Sequence, residues 1–140
     1  MGIEALSRGA ALAVFVDRSR RALELVHANL GHCLGTPKAS LLQLDLARPG
    51  SAGQLRNRIS DDLVFDLVFL DPPYEKKLAL QALQMVESTG ILHPDAMVVV
   101  EERKNTALPD QCGSLLLTDR RTYGETGLWL YNRTSRNHRT

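Results

Sequence analysis

Asp71, Pro72, Pro73 and Tyr74 follow one another directly at the end of the apolar run "FDLVFL". An Asp-Pro step is an ordinary way to stop a strand, because proline cannot continue a central ladder. That accounts for the acid and one proline, and leaves the second proline and the aromatic ring without a purpose. The four residues together suit a particular chemistry. An exocyclic amine on a nucleobase is a poor nucleophile, since its lone pair is delocalised into the ring. Two acceptors gripping its N–H bonds would aim that lone pair at an electrophile. The carboxylate of Asp71 can be one acceptor and the carbonyl of Pro72 the other, its direction fixed by the restricted φ of consecutive prolines. Neither proline brings an N–H to compete. Tyr74 can then stack on a base turned out of its helix. The gain is alignment and charge stabilisation, with no covalent intermediate.

Such a clamp needs a stiff sheet behind it, and the flanking sequence supplies one. "ALAVFVD" (Ala11–Asp17) reads as a buried strand closed by an acid. Ser19 can cap a helix through "RRALELVHANL", where Ala22, Leu25, Val26 and Leu30 recur at helical spacing and Gly31 sits at the C-terminal cap. Ala39–Asp45 predicts a second strand, and a loop with Pro49, Gly50 and Gly53 leads to a short helix around Gln54–Ile59. Phe65–Leu70 is the third strand, "KLALQALQMVES" an amphipathic helix ending near Gly90, and "DAMVVVEE" the fourth strand. "SLLLTDRRTYGETGLWLYN" reads as a hairpin turning at Gly124–Gly127. The alternation predicts one α/β domain over residues 1–140, with a mostly parallel sheet and a C-terminal antiparallel hairpin. Asp17, Asp45 and Asp71 then fall at the carboxyl ends of strands, the edge where open α/β sheets bind ligands.

Composition narrows the rest. The 140 residues are 44% hydrophobic and 24% charged with a formal net charge of +1, so no global charge points to a nucleic-acid partner. No apolar run approaches the roughly 20 residues that span a bilayer, and no signal peptide is visible, so a cytoplasmic protein away from membranes is expected. Cys33 and Cys112 form no CxxC pair, and His27, His32 and Cys33 match no common zinc spacing, so free thiols and no metal are expected. Trp129 and Tyr131 alternate on a strand and read as packing residues. Arg120 and Arg121 beside the hairpin, and Arg133, Arg136 and Arg139 near the C-terminus, are either solvated surface or phosphate contacts.

An apolar strand followed by Asp/Asn-Pro-Pro-aromatic resembles motif IV of the S-adenosylmethionine-dependent amino-methyltransferases. Four blocks sharpen the likeness: "GIEALSRGA" (Gly2–Ala10), "VFVDRSRRALELVHANL" (Val14–Leu30), "FDLVFLDPPYEK" (Phe65–Lys76) and "YGETGLWLY" (Tyr123–Tyr131). In this order they resemble the bacterial 16S rRNA guanine-N2 methyltransferase family along nearly the whole chain. The resemblance implies a Rossmann-like class I methyltransferase fold, S-adenosyl-L-methionine as cofactor, and methyl transfer to the exocyclic N2 amine of a guanine in 16S rRNA. It implies that Asp71, Pro72, Pro73 and Tyr74 are catalytic. It implies cofactor contacts from Gly2, from Asp17 on the ribose hydroxyls with Arg18 beside it, from Asp45 and Leu46 near the adenine, and from Asp71. The implied partner is 16S rRNA or the assembling small ribosomal subunit, and the chain is expected to be a monomer.

In that family a strand and a glycine-rich turn precede the first block, whereas here Gly2 alone stands for the turn. The first strand and the glycine-rich loop are therefore expected to be missing, and S-adenosylmethionine binding by this chain alone to be weak. The alternatives are a DNA adenine-N6 methyltransferase, which needs a target-recognition region for which the chain has no room, and a truncated remnant without catalysis. A protein-glutamine methyltransferase would carry asparagine at Asp71. A nucleotide hydrolase would need a GxxxxGK[ST] loop, which is absent.

Overall fold

A computed structural model describes residues 12–30, 39–46, 48, 50–60, 62–72 and 78–134. Contacts divide the chain into two compact units, Met1–Arg58 and Ile59–Thr140. Each unit is built around its own sheet.

In the first unit, β1 (Ala13–Asp17) and β2 (Ala39–Gln43) pair in parallel, with Asp17 opposite Gln43. The chain leaves β1 through a tight turn: the Ser19 N–H donates to Oδ1 of Asp17 at 2.8 Å, and the Ala22 N–H donates to Oγ of Ser19 at 3.1 Å. Ser19 thus satisfies one of the orphan donors at the start of α1 (Arg20–Leu30), as its type and position predict. Leu23 of α1 and Leu42 of β2 are buried, as is Leu55 of α2 (Ser51–Arg58). The helix α2 begins three residues before the expected Gln54. Ser51 is buried there, and its hydroxyl donates to the Leu46 carbonyl at 3.0 Å, so a polar contact rather than apolar periodicity sets that end.

The second unit carries a sheet in the order β3-β4-β7-β6-β5. β3 (Phe65–Leu70) runs parallel to β4 (Leu92–Arg103), and β7 (Thr126–Arg133), β6 (Leu115–Tyr123) and β5 (Gln111–Cys112) add antiparallel ladders. Among the described residues parallel pairing, expected to dominate, is confined to β1–β2 and β3–β4; the other three pairings are antiparallel, because β7 runs against β4 and β5 adds a strand to the expected hairpin. Strand β4 also starts three residues earlier than expected, taking in Pro94. A proline is accommodated because the β3–β4 register shifts between Phe65 and Leu67, so the ladder passes from Leu92 to Met97 without using the missing donor.

Side-chain rows across this sheet form the core. Val68, Val98, Tyr131 and Leu117 lie in register, and so do Leu70, Val100, Trp129 and Arg120. Val98, Val100 and Tyr131 are fully buried and Trp129 nearly so, which bears out the packing reading of both rings. Helix α3 (Leu78–Ser88) packs on β3 and β4, burying Ala79, Leu83 and Val86 at the spacing of one helical face. Burying Leu83 or Val86 contributes about 1.5–3 kcal/mol each.

Two glycines decide local geometry. The β6–β7 turn is the pair Gly124-Glu125, with Gly124 at φ 58, the left-handed conformation a two-residue hairpin loop favours. Gly127, expected at that turn, lies inside β7, where an added Cβ would come within 2.7 Å of the Trp129 ring. Its role is therefore to admit an aromatic ring rather than to bend the chain.

Candidate functional site

The first unit places two of the predicted acids on one edge. Asp17 ends β1 and is exposed. Its backbone carbonyl accepts the Leu44 N–H at 2.9 Å, which ties the exit of β1 to that of β2. Asp45 follows two residues after β2, half-buried, with its carboxylate 3.6 Å from Nε of Arg48. Leu46 beside it is half-buried, and the Arg18 carbonyl accepts a hydrogen bond from Nε2 of Gln43 at 3.3 Å. A carboxylate, a hydrogen-bonded turn and an apolar side chain thus share the carboxyl-terminal edge of β1–β2. One oxygen of Asp17 serves the turn, and a carboxylate has further lone pairs for a diol.

In the second unit the strand β3 delivers Asp71 and Pro72. Leu70 is buried and locked into the ladder opposite Val100, and Asp71 is the first residue beyond it, exposed, with Pro72 half-buried. The acid stands clear of the core because the apolar run that carries it ends one residue earlier. Glu101 accompanies it. The ladder sets Glu101 one residue past Val100 and so beside Asp71, with Glu101 half-buried. Burial first, and then the neighbouring Asp71, push the Glu101 carboxyl up from its ordinary value. Glu101 escaped the sequence reading. Within "VVVEER" it looks like any acid at a strand end, and only the register with β3 brings it to Asp71.

Gly2, Pro73 and Tyr74 lie outside the described residues, as do His32, Cys33, Arg136 and Arg139. The two hairpin arginines are engaged within the fold: the Arg120 guanidinium sits 4.7 Å from the centre of the Trp129 ring, and Nε of Arg121 is 3.0 Å from Oδ2 of Asp119. Among the described residues no group of three or more His, Cys, Asp or Glu side chains is placed to hold a metal. No helix among them is long and apolar enough to cross a membrane.

A cavity of about 440 Å³ opens elsewhere in the second unit, lined among others by Gln84, Glu87, Gln111 and Cys112. Glu87 crosses its floor and accepts hydrogen bonds from the N–H and hydroxyl of Ser114 at 3.1 and 3.2 Å. Cys112 is a free thiol there, pushed up by burial and by the Glu87 carboxylate, so it is a weak nucleophile at neutral pH. None of these residues was expected to act.

The succession of strands and helices, with acids at strand ends, has its counterpart among known proteins. The family model described as "Conserved hypothetical protein 95" matches residues 1–132. The chain belongs to that family. Its relatives carry methyltransferase names. The Bacillus subtilis protein YlbH, provisionally named an rRNA methyltransferase, is 34% identical over 133 residues, which are 95% of this chain and 70% of that protein. The ribosomal RNA small subunit methyltransferase D of Haemophilus influenzae is 32% identical over 108 residues, 77% of this chain and 53% of that protein. The chain thus spans only part of these relatives. A solved structure from Haemophilus influenzae, provisionally described as a methylase, superposes with a TM-score of 0.77 at 27% identity, covering 96% of this chain and 80% of that one. The resemblance seen in the four sequence blocks is therefore a family relationship, and the Rossmann-like methyltransferase fold is that of the family.

Proposed function

We propose that this chain is an S-adenosylmethionine-dependent N-methyltransferase of small-subunit ribosomal RNA, acting on the exocyclic N2 amine of a guanine. The observation that carries the reading is the exposed Asp71 at the carboxyl end of β3, followed directly by Pro72, in a family whose relatives bear rRNA methyltransferase names. Both units are read as parts of one methyltransferase domain, because the family match runs through their junction. A cytoplasmic monomer acting on 16S rRNA or on the assembling small subunit is the setting this reading implies.

The residues of the first unit suit the cofactor. An acceptor-only carboxylate at Asp17 matches the hydroxyls of a ribose, and the half-buried Leu46 with the adjoining Asp45 matches an adenine and its amine. Arg18 lies next to Asp17 on the same turn. When bound, S-adenosylmethionine supplies a methyl group on a positively charged sulfur. The rest is work for the protein. Asp71 and the Pro72 carbonyl each accept one N–H of the guanine amine, so the nitrogen lone pair is held in one direction. As the nitrogen gains a bond it becomes positively charged, and the Asp71 carboxylate stabilises that charge and is placed to accept the proton the nitrogen sheds. Tyr74 is assigned the stacking role on the extruded base, and Pro73 the stiffening of the clamp.

The test is methyl transfer from labelled S-adenosylmethionine to deproteinised small-subunit rRNA, to assembling small subunits and to duplex DNA, with the modified nucleoside identified by mass spectrometry. N2-methylguanosine from either ribosomal substrate is expected. N6-methyladenine from the duplex, or no methylated nucleoside from any ribosomal substrate, would contradict the proposal.

A further inference from the structure

Asp71 does not leave the sheet alone. In the parallel ladder Leu70 faces Val100, so Asp71, just past the end of β3, comes to lie beside Glu101 within β4. On the other side of Glu101 stands Leu128 of β7, which carries no charge. Beyond it in the same row lies Arg121 of β6, already paired with Asp119. On its own strand the neighbouring Glu102 is buried and accepts the Arg103 N–H at 2.9 Å. Among the described residues, Asp71 is the acid that the register sets beside Glu101, and Arg103 lies two residues further along β4 on the same face as Glu101. Two carboxyls set side by side do not ionise together cheaply, and a proton held between them would relieve the repulsion. Of the two, Glu101 is the more buried, so the proton belongs on Glu101 and the exposed Asp71 remains the acceptor.

We propose that Glu101 is a positioning residue for Asp71: its carboxyl O–H donates to one oxygen of the Asp71 carboxylate, fixing its orientation and leaving the other oxygen for the substrate amine. This rests on the reading of Asp71 and Pro72 as an amine clamp. A carboxylate held from behind cannot rotate away from the N–H it must accept, and the arrangement needs no reorganisation when the nitrogen becomes charged. The upward shift of Glu101, caused first by burial and then by Asp71, runs in the direction the pairing requires.

Two variants separate this role from a merely structural one. Glu101→Gln keeps the shape and still offers an N–H to Asp71, whereas Glu101→Leu keeps the volume and offers nothing. The glutamine variant should hold kcat for rRNA methylation within about threefold of the wild type, and the leucine variant should lose about 10- to 100-fold. KM for S-adenosylmethionine and the melting temperature should change little in either. A glutamine variant as impaired as the leucine one, or a leucine variant as active as the wild type, would overturn the proposal. A second readout needs no turnover: the ¹³C shift of the Glu101 carboxyl, titrated by NMR, should have a midpoint above the usual carboxylate range that falls in Asp71→Ala. A midpoint indifferent to Asp71→Ala would overturn the pairing. Absence of methyl transfer by the wild type would instead sink the functional reading, with the NMR result still deciding the pair.

Discussion

At the scale of single residues, the chemistry depends on acids that stand just past the end of apolar strands. Asp17 is the last residue of β1, opposite Gln43, and Asp71 is the first residue past β3, beside Glu101; each was visible in the sequence as an acid closing an apolar run. An acid after four or five apolar residues is conspicuous because burying its charge is costly. Glu101 was invisible by the same logic, since it sits in an acidic pair whose surroundings give no hint of a partner 30 residues away in the chain. Asp17 makes a prediction of its own. Replacing it with alanine removes the acceptor assigned to the ribose and should weaken S-adenosylmethionine binding about 10- to 100-fold. Calorimetric titration reads that loss directly. Because Oδ1 also receives the Ser19 N–H, a fall in stability of about 1 kcal/mol should accompany it, measured by denaturant unfolding.

Among the elements, local signals succeeded where one force dominates and failed where the tertiary ladder decides. The helix α1 matches its expected span because a serine cap and an apolar stripe agree. The strand β4 begins early because a register shift absorbs Pro94, which no local rule reveals. The strand β5 has two residues, too few to show any period. Strand β7 is held from the side by Tyr131, whose hydroxyl donates to the Pro109 carbonyl at 2.7 Å and which has no exposed surface. Burial pushes this phenol up to about 12, helped by the nearby Cys112 and Asp110. An unfolded tyrosine releases its proton near 10. The folded state keeps it, so this contribution to stability is complete below about pH 10 and is lost progressively as pH rises toward 12. Tyr131→Phe should cost about 1 kcal/mol at neutral pH, the lost hydrogen bond, and should show a shallower alkaline decline than the wild type. Unfolding curves at neutral pH and above pH 10 measure both effects.

For the whole molecule, sequence and structure divide the information unevenly. The order of the main strands and helices and the family itself were legible, because alternating apolar runs and the "DPPY" corner carry them. The separation into two compact units, one sheet in each, was not legible, since nothing in the linking sequence around Arg58 and Ile59 marks a boundary. The chemistry proposed for the second unit stands on Asp71 above all. The decisive measurement is therefore methyl transfer to small-subunit rRNA by Asp71→Ala, with S-adenosylmethionine affinity measured on the same preparation. The account predicts that transfer falls by about 100-fold or more while affinity stays within a few-fold of the wild type. Transfer at the wild-type rate would contradict it.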